Sequence, residues 1–296
     1  MAALTALSLT PAARRWLAAT TSARVLNTFE RACNLINQQN DILALVTSER
    51  GLAPFAMVVS ADDPAPFQAV PETSPVTVTA DQLFVGPLQI RIETDVMWDP
   101  IPDWQTLHQA FVAHPSRLRE LAHIAVELSP KDSLLELYAP NPTQTAELNW
   151  AVRDRAWRGA VEVVRGLLIG VEDRYIAGVK LLAGVGGGLT PAGDDFLVGV
   201  LLALWAGLYG AGREESAASI VAAAAPLTTL LSTAYLRAAA RGECLAYWHT
   251  LFAAIQIDDS EVMLMAAKSL MTIGHTSGAD GLAGFLAIHY LGEQTI

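Results

Sequence analysis

Chemistry is concentrated in Gly184-Val-Gly-Gly-Gly-Leu-Thr-Pro-Ala-Gly-Asp-Asp195, which runs straight into the apolar stretch Phe196-Leu-Val-Gly-Val-Leu-Leu-Ala-Leu-Trp205. Glycines let backbone N–H groups turn inward around a ligand, and a helix start adds unpaired donors with partial positive charge. The expected occupant is a small anion, bound at Gly186, Gly187, Gly188, Thr190 and Gly193. Two aspartates oppose an anion unless they cap the helix or hold a cation. Asp194 and Asp195 are therefore candidate metal ligands, and Mg²⁺ is the ion that hard carboxylate oxygens suit. No other cofactor is called for. Helix capping is the purely structural alternative.

A related stretch lies near the C-terminus, Gly274-His-Thr-Ser-Gly-Ala-Asp-Gly-Leu-Ala-Gly284. With a one-residue gap, Thr190, Gly193, Asp195, Leu197 and Gly199 align with Thr276, Gly278, Asp280, Leu282 and Gly284. The two loops face one site, or an ancestral unit was duplicated, or each is merely a tight interhelical turn with an Asp N-cap. In the first case Thr276, Ser277 and Gly278 join the binding set. Asp195 and Asp280 then become candidate catalytic groups, orienting donors or a metal, and His275 is a proton or oxyanion donor by type. Arg237, in the stretch between the loops, offers a planar bidentate donor for an anion; a solvated helix end is its simpler role. The basic cluster Arg153, Arg155 and Arg158 reads first as a solvated helix face.

Common nucleotide and hydrolase signatures do not fit. No Gly-Lys-Ser/Thr follows the glycines, and a dinucleotide fingerprint would need glycine where Leu189 stands. Gly274-His-Thr-Ser-Gly278 has the wrong spacing for a serine elbow. The six histidines show no metal-ligand spacing.

Gly188-Leu-Thr-Pro-Ala-Gly-Asp-Asp-Phe-Leu-Val-Gly199, taken with Gly274-His-Thr-Ser-Gly-Ala-Asp280, resembles a bacterial family first known as a domain of unknown function. Its members include the AllH-type subunit of the oxamate carbamoyltransferase of allantoin degradation. The resemblance is most specific over residues 180–290, and looser at Phe29-Glu-Arg-Ala-Cys-Asn-Leu35 and Gly51-Leu-Ala-Pro-Phe55. It implies transfer of a carbamoyl group between carbamoyl phosphate and oxamate, running from oxalurate in degradation, with partner protein subunits. The chain departs from familiar carbamoyltransferases in lacking their Ser-x-Arg-Thr phosphate motif. Two other classes stay open: a Mg²⁺-dependent hydrolase with a helical core, loosely like the ADP-ribosylglycohydrolases, and a non-catalytic metabolite-binding or assembly subunit.

The elements that must position these residues follow from composition and periodicity. The chain has 296 residues, 52% hydrophobic and 17% charged, enough apolar content for a substantial core. A formal charge of −11 argues against nucleic acid or an anionic membrane as partner. Cys33 and Cys244 have no metal spacing and read as reduced thiols, and Arg14-Arg15 follows the apolar N-terminal residues in an order wrong for a secretory signal. A cytoplasmic protein is expected. The uncharged run from Phe196 is short of a membrane span; its large stripe (Leu197, Leu201, Leu204, Leu208) and small stripe (Gly199, Ala203, Ala206, Gly210) predict a central buried helix.

The expected fold class is α+β: a small mixed or antiparallel β domain over 1–100, then a mainly α-helical domain over 101–296. In the first half, residues 23–37 carry a helical pattern through Val25, Phe29, Cys33 and Ile36. Strands are expected at 42–47, 55–60, 76–79, 83–85 and 88–94, forming a small sheet or barrel. Helices are expected at 104–113, 116–128, 146–169, 172–183, 194–210, 213–225, 227–241, 244–256, 260–273 and 280–291.

Overall fold

The computed structural model describes residues 2–48, 51–139, 150–210, 212–257 and 259–292. One compact unit is built from the residues up to Pro100 together with Cys244–Ala246, and the other from Ile101 onward apart from that segment.

The first unit is a closed barrel of eight strands: β1 (Ala2–Leu9), β2 (Ser22–Thr28), β3 (Ala32–Asn37), β4 (Ile42–Thr47), β5 (Ala56–Ser60), β6 (Pro75–Val78), β7 (Gln82–Val85) and β8 (Leu88–Arg91). Their order around the barrel is β1-β5-β4-β3-β2-β6-β7-β8. Most pairs are antiparallel, but β4 with β5 and the closing pair β1 with β8 run parallel. Closure leaves no free sheet edge, which suits strands of four to eight residues. The interior is filled by Val25, Cys33, Leu35, Leu43, Leu45, Met57, Leu83, Val85 and Ile90, all fully buried. Helix α1 (Pro11–Ala19) begins at Thr10, whose hydroxyl accepts from the Ala13 amide. Its Trp16 donates its ring N–H to the Asp41 carbonyl.

The helix expected over 23–37 is instead the β2–β3 hairpin. The three- and four-residue spacing of Val25, Phe29, Cys33 and Ile36 is accidental: Phe29 lies near the turn, 44% exposed, while Val25, Cys33 and Leu35 enter the barrel core. Asn27 and Asn34, buried on facing strands, satisfy one another through a 2.7 Å side-chain hydrogen bond. A helix would leave that pair without its cross-strand geometry. Strand β1 and helix α1 had no counterpart in the sequence reading, although Leu4, Ala6 and Leu9 are the buried members of the N-terminal segment.

The second unit is helical: α2 (Trp104–Ala113), α3 (Ser116–Glu127), α4 (Trp150–Ile169), α5 (Glu172–Leu182), α6 (Ala192–Trp205), α7 (Arg213–Ala224), α8 (Leu230–Ala240), α9 (Ala246–Gln256), α10 (Ser260–Met271) and α11 (Ser277–Gly292). The start expected for α4 at 146–149 lies outside the described residues. Helices α6 and α11 form the centre. Leu197, Leu201 and Leu204 of α6, and Leu282, Phe285 and Leu286 of α11, are at most 2% exposed. The small residues let the two backbones nearly touch. A Cβ at Gly199 would lie 1.8 Å from the Gly281 carbonyl oxygen, and one at Gly284 would lie 1.9 Å from that of Phe196. No described helix is long and apolar enough to cross a membrane.

Candidate functional site at two helix N-termini

The crossing of α6 and α11 brings the two loops of the sequence reading together. Thr190, just before α6, and Ser277, the first residue of α11, are joined by a 3.1 Å hydrogen bond between their hydroxyls. Each helix is seated by a glycine against the helix before it. A Cβ at Gly193 would lie 2.1 Å from the Leu182 carbonyl oxygen, and one at Gly278 would lie 1.9 Å from that of Leu270. The aligned positions therefore do equivalent work in both loops.

The paired aspartates part company. Asp194 is 1% exposed, and both its oxygens are engaged: Oδ1 accepts from the Gly184 amide at 2.9 Å, and Oδ2 from the Thr228 hydroxyl. Burial raises its pKa, opposed by those donors. Asp195, one residue on, answers to other groups. Burial pushes its carboxyl well above the ordinary range, and the charge of Asp280 pushes it further, while the Ser277 and Thr190 hydroxyls favour its ionised form. Asp280 is fully buried; its Oδ1 accepts from the Leu134 amide at 2.6 Å, and burial raises its pKa to about 7. The Oδ2 atoms of Asp195 and Asp280 are both buried without a hydrogen-bond partner. Carboxyl groups in that position favour the protonated form, because a charge there is desolvated and repelled. Neither Asp195 nor Asp280 is a helix cap: both sit within the first turn, and the residue at the cap of α6 is Pro191.

Around the carboxylates the glycine loop is open. Gly186, Gly187 and Gly188 are exposed, and a Cβ at Gly187 or Gly188 would meet nothing within 4 Å. Among the described residues their amides, like that of Thr190, make no backbone hydrogen bond. Gly186 and Gly188 take left-handed backbone angles, φ 110° and 86°. Successive free amides beside a helix start are what an anion cradle requires. Thr276 and His275 belong to the second loop, with His275 exposed and the Thr276 hydroxyl favouring the charged form of Asp280.

Arg237 stands apart from this group. Thr229, at the start of α8, touches the glycine loop, whereas Arg237 is exposed in the last turn of that helix, about 12 Å further along its axis at 1.5 Å per residue. Arg241 is ion-paired to Glu243 at 2.7 Å. The cluster of three arginines is dispersed: Arg153 donates to the Glu136 carbonyl, Arg155 to the Leu181 carbonyl at the end of α5, and Arg158 pairs with Asp154. Among the described residues, no group of three or more His, Cys, Asp or Glu side chains is placed to hold a metal ion.

Three contributors were not foreseen. The Thr228 and Thr229 hydroxyls and the Leu134 amide reach the loops from 34, 40 and 146 residues away. Thr229 is recognisable in sequence as a helix cap, and it does cap α8 through the Ser232 amide. Nothing in the local sequence says which loop it would also tie. Two clefts lie elsewhere. One of about 780 Å³ is lined by residues including Arg14, Leu17, Thr79 and Asp95 of the barrel unit; the other, of about 320 Å³, is lined by Leu137, Arg153, Asp154 and Trp157.

Residues 182–289, which hold both loops and the helices they start, match the family described as oxamate carbamoyltransferase subunit AllH. Residues 5–96, the barrel, match the AllH family N-terminal domain. No solved structure matches the chain. With both parts of the family's architecture present and the paired loops inside the match, the chain belongs to the AllH family.

Proposed function

We propose that this chain is a cytoplasmic subunit of a carbamoyltransferase-like assembly acting on carbamoyl phosphate and oxamate or oxalurate, as in allantoin-type degradation. The family description supports the reaction class and the need for partner subunits. The observation that carries the chemical reading is the meeting of two helix N-termini, through Thr190 and Ser277, beside two carboxyl groups whose Oδ2 atoms lack partners.

In the degradative direction an oxygen of inorganic phosphate attacks the carbamoyl carbon of oxalurate. The carbon–oxygen bond forms, the carbon–nitrogen bond breaks, and the departing oxamate nitrogen takes up a proton. That nitrogen is too basic to leave as an anion, so a proton donor is needed. Asp195 and Asp280 are suited to this, because burial raises both carboxyls and the charge of Asp280 raises Asp195 further, which favours a retained proton. In the reverse direction the same pair receives the proton from the attacking oxamate nitrogen. The free amides of Gly186, Gly187 and Gly188, with Thr190, serve the phosphate or the oxyanion on the tetrahedral carbon.

A divalent cation is the competing occupant. The donor set for Mg²⁺ would be Asp195 and Asp280 with nearby hydroxyls, since Asp194 already spends both oxygens on Gly184 and Thr228. Such a site belongs to the hydrolase reading.

The test is phosphate-dependent formation of carbamoyl phosphate from oxalurate by the chain reconstituted with its partner subunits. Asp195→Asn should lower turnover by about 100-fold or more, the usual range for a lost proton donor. Undiminished turnover removes the carboxylate pair from the chemistry. Mg²⁺-dependent hydrolysis by the isolated chain would favour the metal reading, and ligand binding without turnover in the full assembly would leave a binding or assembly subunit.

A further inference from the structure

The glycine loop is shaped from outside itself. Its start is tied by the Gly184 amide to Asp194 Oδ1, and Asp194 Oδ2 is in turn held by the Thr228 hydroxyl. Its far end is tied where the Thr229 hydroxyl donates to the Leu189 carbonyl at 2.6 Å. The same segment closes over the loop's first residue: a Cβ at Gly184 would lie 2.5 Å from the Leu227 carbonyl oxygen. Between these ties Gly187 and Gly188 face open space. So residues 227–229, which lead into α8, fix both ends of the loop and leave its middle amides free.

Asp194 alone would not hold this arrangement firmly. The carboxylate is 1% exposed, and burial works against its charge. Its ionised form depends on donors, first the Thr228 hydroxyl on Oδ2, then the Gly184 amide and the Ser232 side chain. Without that hydroxyl, a buried carboxylate oxygen loses its partner, and the group either protonates or turns away to find water. In both cases the acceptor presented to the Gly184 amide weakens, and the start of the loop is released.

We propose that Thr228 is a positioning residue: acting through Asp194, it holds the glycine loop in the shape that presents the amides of Gly186–Gly188 to an anion. This rests on the reading of that loop as an anion cradle. Thr228 itself touches no ligand. Its role predicts a change in anion affinity that exceeds any change in fold.

The experiment is calorimetric titration of the full-length chain with inorganic phosphate, alongside thermal unfolding of each variant. The native chain should bind phosphate saturably. Thr228→Val should unfold cooperatively and bind about tenfold more weakly, the effect of one lost hydrogen bond to a charged group passed on to the cradle. Thr228→Ser, which restores the hydroxyl, should bind within about twofold of the native chain. If the valine variant does not fold, Thr228→Ala removes the same hydroxyl without the branched methyl groups. Native affinity in whichever hydroxyl-free variant folds overturns the positioning role and leaves the anion cradle standing. A native chain that binds no phosphate overturns the cradle, and the positioning role falls with it. Failure of the serine variant to restore binding also overturns the proposal, since it would show that side-chain volume and not the hydroxyl matters.

Discussion

In the first loop Gly193 rests on the carbonyl of Leu182; in the second Gly278 rests on the carbonyl of Leu270. Six residues further on in each, Gly199 faces the Gly281 carbonyl and Gly284 faces that of Phe196, so that each helix receives the other's glycine. Asp195 and Asp280 occupy the same place in their respective first turns, each with an Oδ2 that has no partner. The surroundings then diverge. In the second loop Asp280 is fully buried and the Leu134 amide holds its Oδ1, while Gly274 and His275 are exposed. The first loop carries the extra glycines, leaves them exposed, and draws its ties from the start of α8. A common crossing thus supplies rigidity in both halves, while only the first half carries three successive glycines at its exposed edge. Rigid support beneath adjustable backbone is the arrangement that lets a loop present amides without a large ordering cost on binding.

If the crossing is shared equally, it should be equally intolerant from either side. Gly199→Ala and Gly284→Ala each drive a methyl group into a carbonyl oxygen of the facing backbone, which cannot swing aside as a side chain does. Each should cost about 3 kcal/mol or more, or abolish cooperative folding, because overpacking here requires the helices to separate. Urea unfolding of the two variants measures this. A mild effect in one and a severe effect in the other would break the equivalence of the halves.

The buried Asp280 should also contribute a pH dependence to stability. Asp280 has a native pKa of about 7, above the ordinary 3.8. The folded chain therefore binds more protons than the unfolded chain between those values, and stability falls as pH rises from about 4 to about 7. The lost stability amounts to about 4 kcal/mol at the upper end, at 1.36 kcal/mol per pKa unit. Asp280→Asn keeps an acceptor for the Leu134 amide and cannot ionise. Its unfolding midpoint should decline less between pH 5 and pH 8 than that of the native chain, the remaining decline coming from the raised carboxyls of Asp195 and Asp194. A native chain as stable at pH 8 as at pH 5 would mean that Asp280 ionises in the fold without penalty, with a bound cation as one way to do so. Mg²⁺ titration would then raise the midpoint of the native chain and leave that of the asparagine variant unchanged.

The bridge between the halves is a smaller effect. Thr190→Val and Ser277→Ala each remove one hydroxyl of the 3.1 Å pair that joins the loops. In a double-mutant cycle the coupling should be about 1 kcal/mol, the net value of a partly buried hydrogen bond. Additive effects would show that the loops meet without depending on one another.

The sequence carried the helical half well because its signals are local. Proline, glycine and cap residues mark the ends of α2, α3, α5, α7 and α10 within a residue or two of their observed limits. The alignment of Asp195 with Asp280 was likewise visible as spacing. The barrel was harder. Its strand β3 is buried at every position, so no alternation marks it, and the chance spacing from Val25 to Ile36 imitates a helix. Within the site, the split between Asp194 and Asp195 was not legible. Both are aspartates at adjacent positions, and their roles diverge only because Thr228 and Gly184 lie on one side and Ser277 and Asp280 on the other. Side-chain direction on a helix is fixed by the fold around it, not by residue type.

The finest discrimination between the loops comes from alanine at one glycine of each. Gly187 has open space where a Cβ would stand, and its backbone angle lies outside the left-handed range, so Gly187→Ala should change stability by less than about 0.5 kcal/mol. Gly274 has φ 61°, and its Cβ would lie 3.1 Å from the Ser277 hydroxyl oxygen, so Gly274→Ala should cost about 1 kcal/mol. Phosphate affinity should rank them the other way. A methyl group at position 187 stands at the open edge where an anion must approach the amides, and severalfold weaker binding is expected without loss of stability. The methyl group at position 274 lies in the second loop, outside the Gly186–Gly188 run, and should leave binding unchanged. Calorimetry and thermal unfolding on the same two variants give all four quantities. Equal affinities would remove the glycine loop from anion binding, and weaker binding only in the Gly274 variant would transfer that role to the second loop.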